Sequence, residues 1–203
     1  MTIETQWRIG DNVPWVVPWS GEMRFGLAPS ASFPGRMEAV QASQPGVGEP
    51  VMGGMHLIRQ RLGVVRHLCH VCGAPTPPGD RWLFPTVAGT MAPIAGAVGT
   101  RYLSNLPPIH AACARTAQGA CPHLGRVRAA PIAFPHAEGE IMCETSVPEG
   151  MVPFAASLPT GQKAIFSYFR VFGPAFSRVV ARMREGMDDD PVASGARRPR
   201  TAR

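Results

Sequence analysis

Residues 66–75, RHLCHVCGAP, decide how the rest of the chain is read. They bring two of the five cysteines and two of the six histidines together. Cys69 and Cys72 stand three residues apart and Gly73 follows. Two thiolates at that spacing grip one ion when the backbone turns tightly, and a glycine relieves the turn. A redox pair has the same spacing. It is expected, however, at the N-terminus of a helix after a strand, where the helix dipole lowers the thiol pKa. Here a helical pattern precedes the pair and Gly73-Ala74-Pro75 follows it, which favours a metal over redox chemistry.

The second half of the site lies further along. His110 and Cys113 also stand three residues apart, at the start of a helical stretch that follows Pro107-Pro108. Residues i and i+3 share a helix face, so both can reach one point. Two ligands from a knuckle and two from a helix start complete a tetrahedron. Thiolate and imidazole donors suit Zn²⁺. The expected ligands are therefore Cys69, Cys72, His110 and Cys113, with Cys121 and His123 as possible substitutes. Cys143 stands apart and reads as a small buried residue. Five cysteines, an odd number, read as metal ligands more readily than as a disulfide framework.

The order knuckle, hairpin, helix resembles the treble-clef zinc finger. The stretches RLGVVRHLCHVCG and NLPPIHAACARTA resemble the flanks of the ligand pairs in His-Asn-His nucleases with structural zinc. The chain is also similar to zinc-finger proteins of actinobacteria and phages that carry an RQR, LC-x-VCG and CPHL pattern, present here as RQRLGVVRHLCHVCG and CPHL. The resemblance covers roughly residues 55–125. It implies a small zinc-stabilised α+β core. The nuclease pattern places a catalytic histidine after an aspartate in the hairpin, as general base. In this chain Asp80 is followed by Arg81 and Trp82, and no histidine occurs between His70 and His110. No catalytic residue is assigned, no small-molecule substrate is evident, and the scaffold reads as nuclease-like without the nuclease's base.

Composition bounds the rest. The 203 residues include 22 glycines and 22 prolines, nearly double the ordinary share of the two, which opposes long helices and favours irregular arms. The net charge is +6, and all of the 20 basic residues except Lys163 are arginine. Guanidinium forks suit phosphate, although an arginine excess beside abundant Ala, Gly and Pro also follows from a GC-rich genome. The segment 55–68, MHLIRQRLGVVRHL, reads as an amphipathic helix with Ile58, Leu62 and Val65 on its apolar face. Arg59, Arg61 and Arg66 lie off that stripe as candidate nucleic-acid contacts. Arg81, Arg101, Arg115, Arg126 and Arg128 could add to them. DNA or RNA is the expected partner. The alternative is a protein-interaction or assembly module, of phage type, that uses the tryptophan-rich arm.

The chain divides on these grounds into four segments. Residues 1–50 form an arm with Trp7, Trp15 and Trp19, whose rings are expected to pack, followed by a Ser/Pro/Gly-rich linker over 28–50. Residues 51–128 form the zinc domain. There 81–87 is an expected strand paired with 99–103, and 104–120 an expected helix capped by Ser104 or Asn105. Residues 129–186 form an extension with apolar helices, in which two apolar segments, GQKAIFSYFRVFG and PAFSRVVARMREGM, divide at Gly173-Pro174 and the second has Phe176, Val179, Val180 and Met183 on one face. Residues 187–203 form a tail expected to be disordered. The first residues lack the basic start and apolar run of a signal peptide, and no stretch reaches the roughly 18 apolar residues of a membrane span. A cytoplasmic location is expected.

Overall fold

The computed structural model describes residues 7–121, 124, 130–134 and 140–188, with side chains as far as 185. The tail from 189, His123, Arg126 and Arg128 lie outside the described residues. The fold is α+β. Its described strands are β1 (Phe25–Pro29), β2 (Met37–Gln41), β3 (Trp82–Leu83), β4 (Thr90–Pro93), β5 (Thr100–Ser104), β6 (Ile132–Ala133), β7 (Ile141–Glu144), β8 (Ala164–Ile165) and β9 (Ser167–Val171). The helices are α1 (Leu57–Arg66), α2 (Ala111–Ala120), α3 (Val152–Ala156) and α4 (Pro174–Asp188).

These strands form three small sheets, ordered β1-β2-β8, β3-β6 and β4-β5-β9-β7. All pairings are antiparallel except β2 with β8. The sheets interleave segments that the sequence separates. β8, from the extension, pairs with β2, from the arm, and β9 lies between β5 and β7. Residues 28–50, expected as a linker, contain β2, the central strand of its sheet. Its Ala39 is fully buried and its Glu38 and Gln41 contact α1.

The pairing expected between 81–87 and 99–103 does not form. β3 pairs with β6, and β5 pairs with β4 through Thr90↔Leu103 and Pro93↔Thr100. β4 is an edge strand, where a proline such as Pro93 is tolerated.

α1 packs on β9 and β2, and it presents the face opposite to the expected one. Leu57, Gln60, Arg61 and Val64 are buried, while Ile58 and Leu62 are half-buried and Val65 is exposed. Gln60 explains part of this inversion. Its Nε2 donates to the carbonyls of Asn105 and Tyr168 at 2.5 and 2.8 Å, and its Oε1 accepts from the Tyr168 N–H at 3.1 Å. A primary amide with all these partners loses little on leaving water. Gly63, in the helix interior, lets the Pro107 ring approach. A Cβ at that position would lie 2.5 Å from Pro107 Cγ.

α4 docks on β5 and the loop before β4. Ser177 Oγ accepts from the Tyr102 N–H at 2.9 Å and donates to the Gly173 carbonyl. Arg184 donates to the carbonyls of Pro85, Ala88 and Gly89. Val180 is buried as expected, while Val179 is exposed because Ser177 takes the place on the inner face. Trp19 is buried in the arm's own cluster with Val13 and Val17, and Trp15 is half-buried. Trp7 Nε1 donates to Glu49 at 2.8 Å. The arm is thereby built into the fold.

Candidate metal centre

The knuckle is a tight hairpin closed by backbone hydrogen bonds. Cys69 N–H donates to the Ala74 carbonyl at 2.7 Å, and Gly73 N–H donates to the Cys69 carbonyl at 2.8 Å. Gly73 has φ +77°, a left-handed conformation that favours glycine. The indole of Trp15 lies where a Gly73 side chain would go, with Cδ1 and Cγ 2.9 Å from a built Cβ. The arm runs alongside the knuckle. Trp15 N–H donates to the Val71 carbonyl at 2.7 Å and Val16 N–H to the His70 carbonyl at 3.1 Å.

The helix half of the centre is set by a short antiparallel pair. Trp82 and Ile109 exchange both backbone hydrogen bonds at 2.9 Å, and the next residue, His110, is the N-cap of α2. Helix α2 therefore begins five or six residues later than the expected Asn105 or Ser104 cap would place it. The Asp80 carboxylate accepts from the Ala111 N–H at 2.7 Å and from Trp82 Nε1 at 3.1 Å. It thus satisfies a first-turn donor of α2 and favours the positive end of the helix dipole.

Cys69, Cys72, His110 and Cys113 converge, with their ligand atoms all within 4.8 Å of one another. Cys69 is fully buried on the cluster of Val71, Phe84, Ile109 and Ala114, whereas Cys72 lies at the surface. His110 Nδ1 is 3.4 Å from Cys72 Sγ and 3.9 Å from Cys113 Sγ. Its other nitrogen, Nε2, lies 3.0 Å from the Pro75 carbonyl. A carbonyl accepts only, so Nε2 carries the proton and Nδ1 turns its lone pair toward the sulfurs. A second ring nitrogen bound to a carbonyl is the usual way a metal-ligating imidazole is oriented.

Two thiols of this cluster, those of Cys69 and Cys113, are held toward their protonated form when no cation is present. Burial pushes the Cys69 thiol up, against the pull of the backbone N–H groups of Cys72, His110 and Val71. Burial and the neighbouring Cys69 and Cys72 push the Cys113 thiol up to about 12. A bound divalent cation inverts this preference, because coordination deprotonates a thiol outright. The four residues thus form a group that can hold a metal ion.

Cys121 is not in the cluster. It caps the far end of α2, eight residues from Cys113, or about 12 Å at the helical rise. Cys143 is half-buried and accepts a hydrogen bond from Arg36 Nη1 at 2.9 Å.

The candidate nucleic-acid contacts divide. Arg66 and Arg115 are exposed. Arg59 and Arg61, by contrast, are structural, which corrects the expectation for α1. Arg59 is 7% exposed, ion-paired to the fully buried Glu22 and bonded to the carbonyls of Trp15 and Val17 at 2.7 and 3.1 Å. Arg61 is 5% exposed, 3.3 Å from the Glu38 carboxylate and bonded to the Ala39 carbonyl at 2.8 Å. Their positive charges are consumed inside the fold by two carboxylates that lie far away in sequence. Arg81 is buried as well and donates to Thr76. His70, next to the ligands, is held by the carbonyls of Pro107 and Pro108, and burial lowers its pKa. His67 is likewise kept neutral: burial, then the charges of Arg170 and Arg81, lower its pKa to about 4.

No family model, curated protein or solved structure matches the chain. Fold and site together define an α+β protein with a Cys₃His metal-binding cluster. No helix among the described residues is long and apolar enough to cross a membrane.

Proposed function

We propose that the chain is a non-catalytic module of treble-clef type, built around one structural Zn²⁺, that associates with nucleic acid through surface arginines. The convergence of three sulfurs on His110 Nδ1 carries the zinc reading. With metal–sulfur bonds of about 2.3 Å and metal–nitrogen bonds of about 2.05 Å, a tetrahedron has sulfur–nitrogen edges of about 3.6 Å, and the two observed separations of 3.4 and 3.9 Å bracket that value. Four protein ligands leave no open position for a substrate. The treble-clef reading draws on the order of parts: the knuckle, the antiparallel Trp82–Ile109 pair, and a helix that delivers the last two ligands at its start. β4 and β5 are then an insertion within that hairpin. The two polar residues nearest to the nuclease pattern, His70 and Asp80, have other work, at the Pro107-Pro108 carbonyls and at the α2 terminus. Nucleic-acid association draws on the +6 charge and on exposed Arg66 and Arg115, which lie on α1 and α2, the helices flanking the two ligand pairs.

Metal analysis of the purified full chain tests the zinc centre. One zinc per chain is expected, and Co²⁺ exchange should give the strong visible absorption and thiolate charge-transfer band of a tetrahedral S₃N site. Cys113→Ala should lose the metal while Cys121→Ala keeps it. The reverse pattern, or an octahedral cobalt spectrum, would remove this ligand set.

A further inference from the structure

Among the described residues four buried arginines lie on or beside α1, and only two of them have a carboxylate. Arg59 faces Glu22 and Arg61 faces Glu38. Arg81 and Arg170 are as deeply buried, each 7% exposed, yet among the described residues no carboxylate lies within ion-pair distance of either. Arg81 donates through Nε and Nη2 to the carbonyl of Thr76, at 3.2 and 2.6 Å. Arg170 donates through Nη2 to the Val64 carbonyl at 2.6 Å. Both attachments lead to the same place. Val64 is in the last turn of α1, and Thr76 is bonded through its N–H and its hydroxyl to the carbonyl of His67, the residue that ends α1. His67 Nε2 is buried there with no hydrogen-bond partner.

We propose that Arg81, Arg170 and His67 hold one small tetrahedral oxyanion of the phosphate or sulfate class. Buried guanidinium groups without a counter-charge are costly, and the interior normally supplies an anion for them. Carbonyl acceptors at a helix C-terminus carry only a partial negative charge, against two full positive ones. Burial, then the charge of Arg81, lower the Arg170 pKa to about 10, which an anion between them would reverse. Paired guanidinium forks match the oxygen geometry of phosphate and sulfate.

His67 adds an independent observation. It is the one non-glycine residue among those described with a positive φ, 54°. Glycine takes this helix-ending conformation without steric cost. The imidazole is thus held at a position that glycine would occupy more easily, with its Nε2 still free to bond an anion. The proposal is independent of the zinc reading.

The test is equilibrium dialysis of the full chain as purified against inorganic phosphate at constant ionic strength. Uptake should saturate at one per chain, be displaced by sulfate and be indifferent to chloride. His67→Gly suits the local backbone and should keep the fold while weakening uptake at least severalfold. Arg170→Gln should abolish it. Absence of saturable uptake by the wild-type chain overturns the site without reference to any variant. Uptake unchanged in both variants overturns the residue assignment. Displacement by an oligonucleotide at equal phosphate concentration would reassign the ligand to nucleic-acid backbone and overturn the free-anion reading.

Discussion

His110 shows how a single side chain can bind two parts of the molecule. Its Nε2 ties α2 to the Pro75 carbonyl beyond the knuckle, and its Nδ1 faces the sulfurs. Replacement by cysteine should therefore keep one metal per chain but weaken it about 10- to 100-fold, the usual cost of losing such an orienting hydrogen bond. Competition with a chromophoric chelator measures this, and a variant as tight as wild type would show that the Pro75 contact does not matter. Proton linkage gives a second expectation. The Cys69 and Cys113 thiols are both pushed up in the metal-free site, so at neutral pH each must release a proton to ligate. Apparent affinity should consequently fall as pH falls, by at least about 100-fold per unit from these two protons. Chelator titrations at pH 6, 7 and 8 would reveal a flat profile if the thiols were already ionised. Gly73 belongs to the same scale. Its φ of +77° and the Trp15 ring against it both oppose a side chain, so Gly73→Ala should disturb the knuckle and, with it, tryptophan emission.

Among the elements, α1 shows where sequence reading fails and why. Its existence and limits were legible in residues 55–68, and so was the grouping of Cys69, Cys72, His110 and Cys113, because each pair follows from local spacing. Its orientation was not. Both faces of the helix carry apolar residues, and the choice between them rests on Glu22 and Glu38, whose approach to Arg59 and Arg61 no local pattern announces. β2 was illegible for the complementary reason: its Glu38 and Gln41 look like surface residues until their partners on α1 are known. This makes the energetics predictable. Arg59→Met leaves the Glu22 carboxylate buried without its cation and should cost about 3–5 kcal/mol. Adding Glu22→Gln should recover part of it. Urea unfolding of the single and double variants measures the coupling, and simple additivity would contradict a buried pair. Gly63→Ala reverses an ordinary expectation. In a free helix the change stabilises by up to about 1 kcal/mol. Here the new methyl meets the Pro107 ring, and overpacking of that kind costs about 1–3 kcal/mol. A stabilised variant would mean that the 105–109 segment yields.

For the whole molecule, the interleaved sheets decide how stability and partner binding are distributed. The ligands come from 69–113, but the parts that hold them reach from Trp15 to Tyr168 by way of α1. A fragment of residues 51–128 should therefore fail to fold with zinc, because it lacks β2, β8 and β9 and leaves Arg59 and Arg61 without carboxylates. A dispersed amide spectrum from that fragment would restore the separate zinc domain. The same interleaving limits the nucleic-acid association proposed above. Net charge counts every arginine alike, but only those at the surface can displace counterions from phosphates. Each neutralised phosphate contributes about −0.9 to the slope of log K against log salt on duplex DNA. Arg59, Arg61 and Arg66 acting together would give about −2.7, whereas Arg66 and Arg115 alone give about −1.8. Fluorescence anisotropy with a labelled duplex over a range of salt should find the shallower slope. Arg66→Gln with Arg115→Gln should flatten it, since neither residue belongs to the packed interior and both variants should stay folded. Binding that is undetectable at low salt, or a slope that the double change leaves intact, would take these two helices out of the nucleic-acid reading.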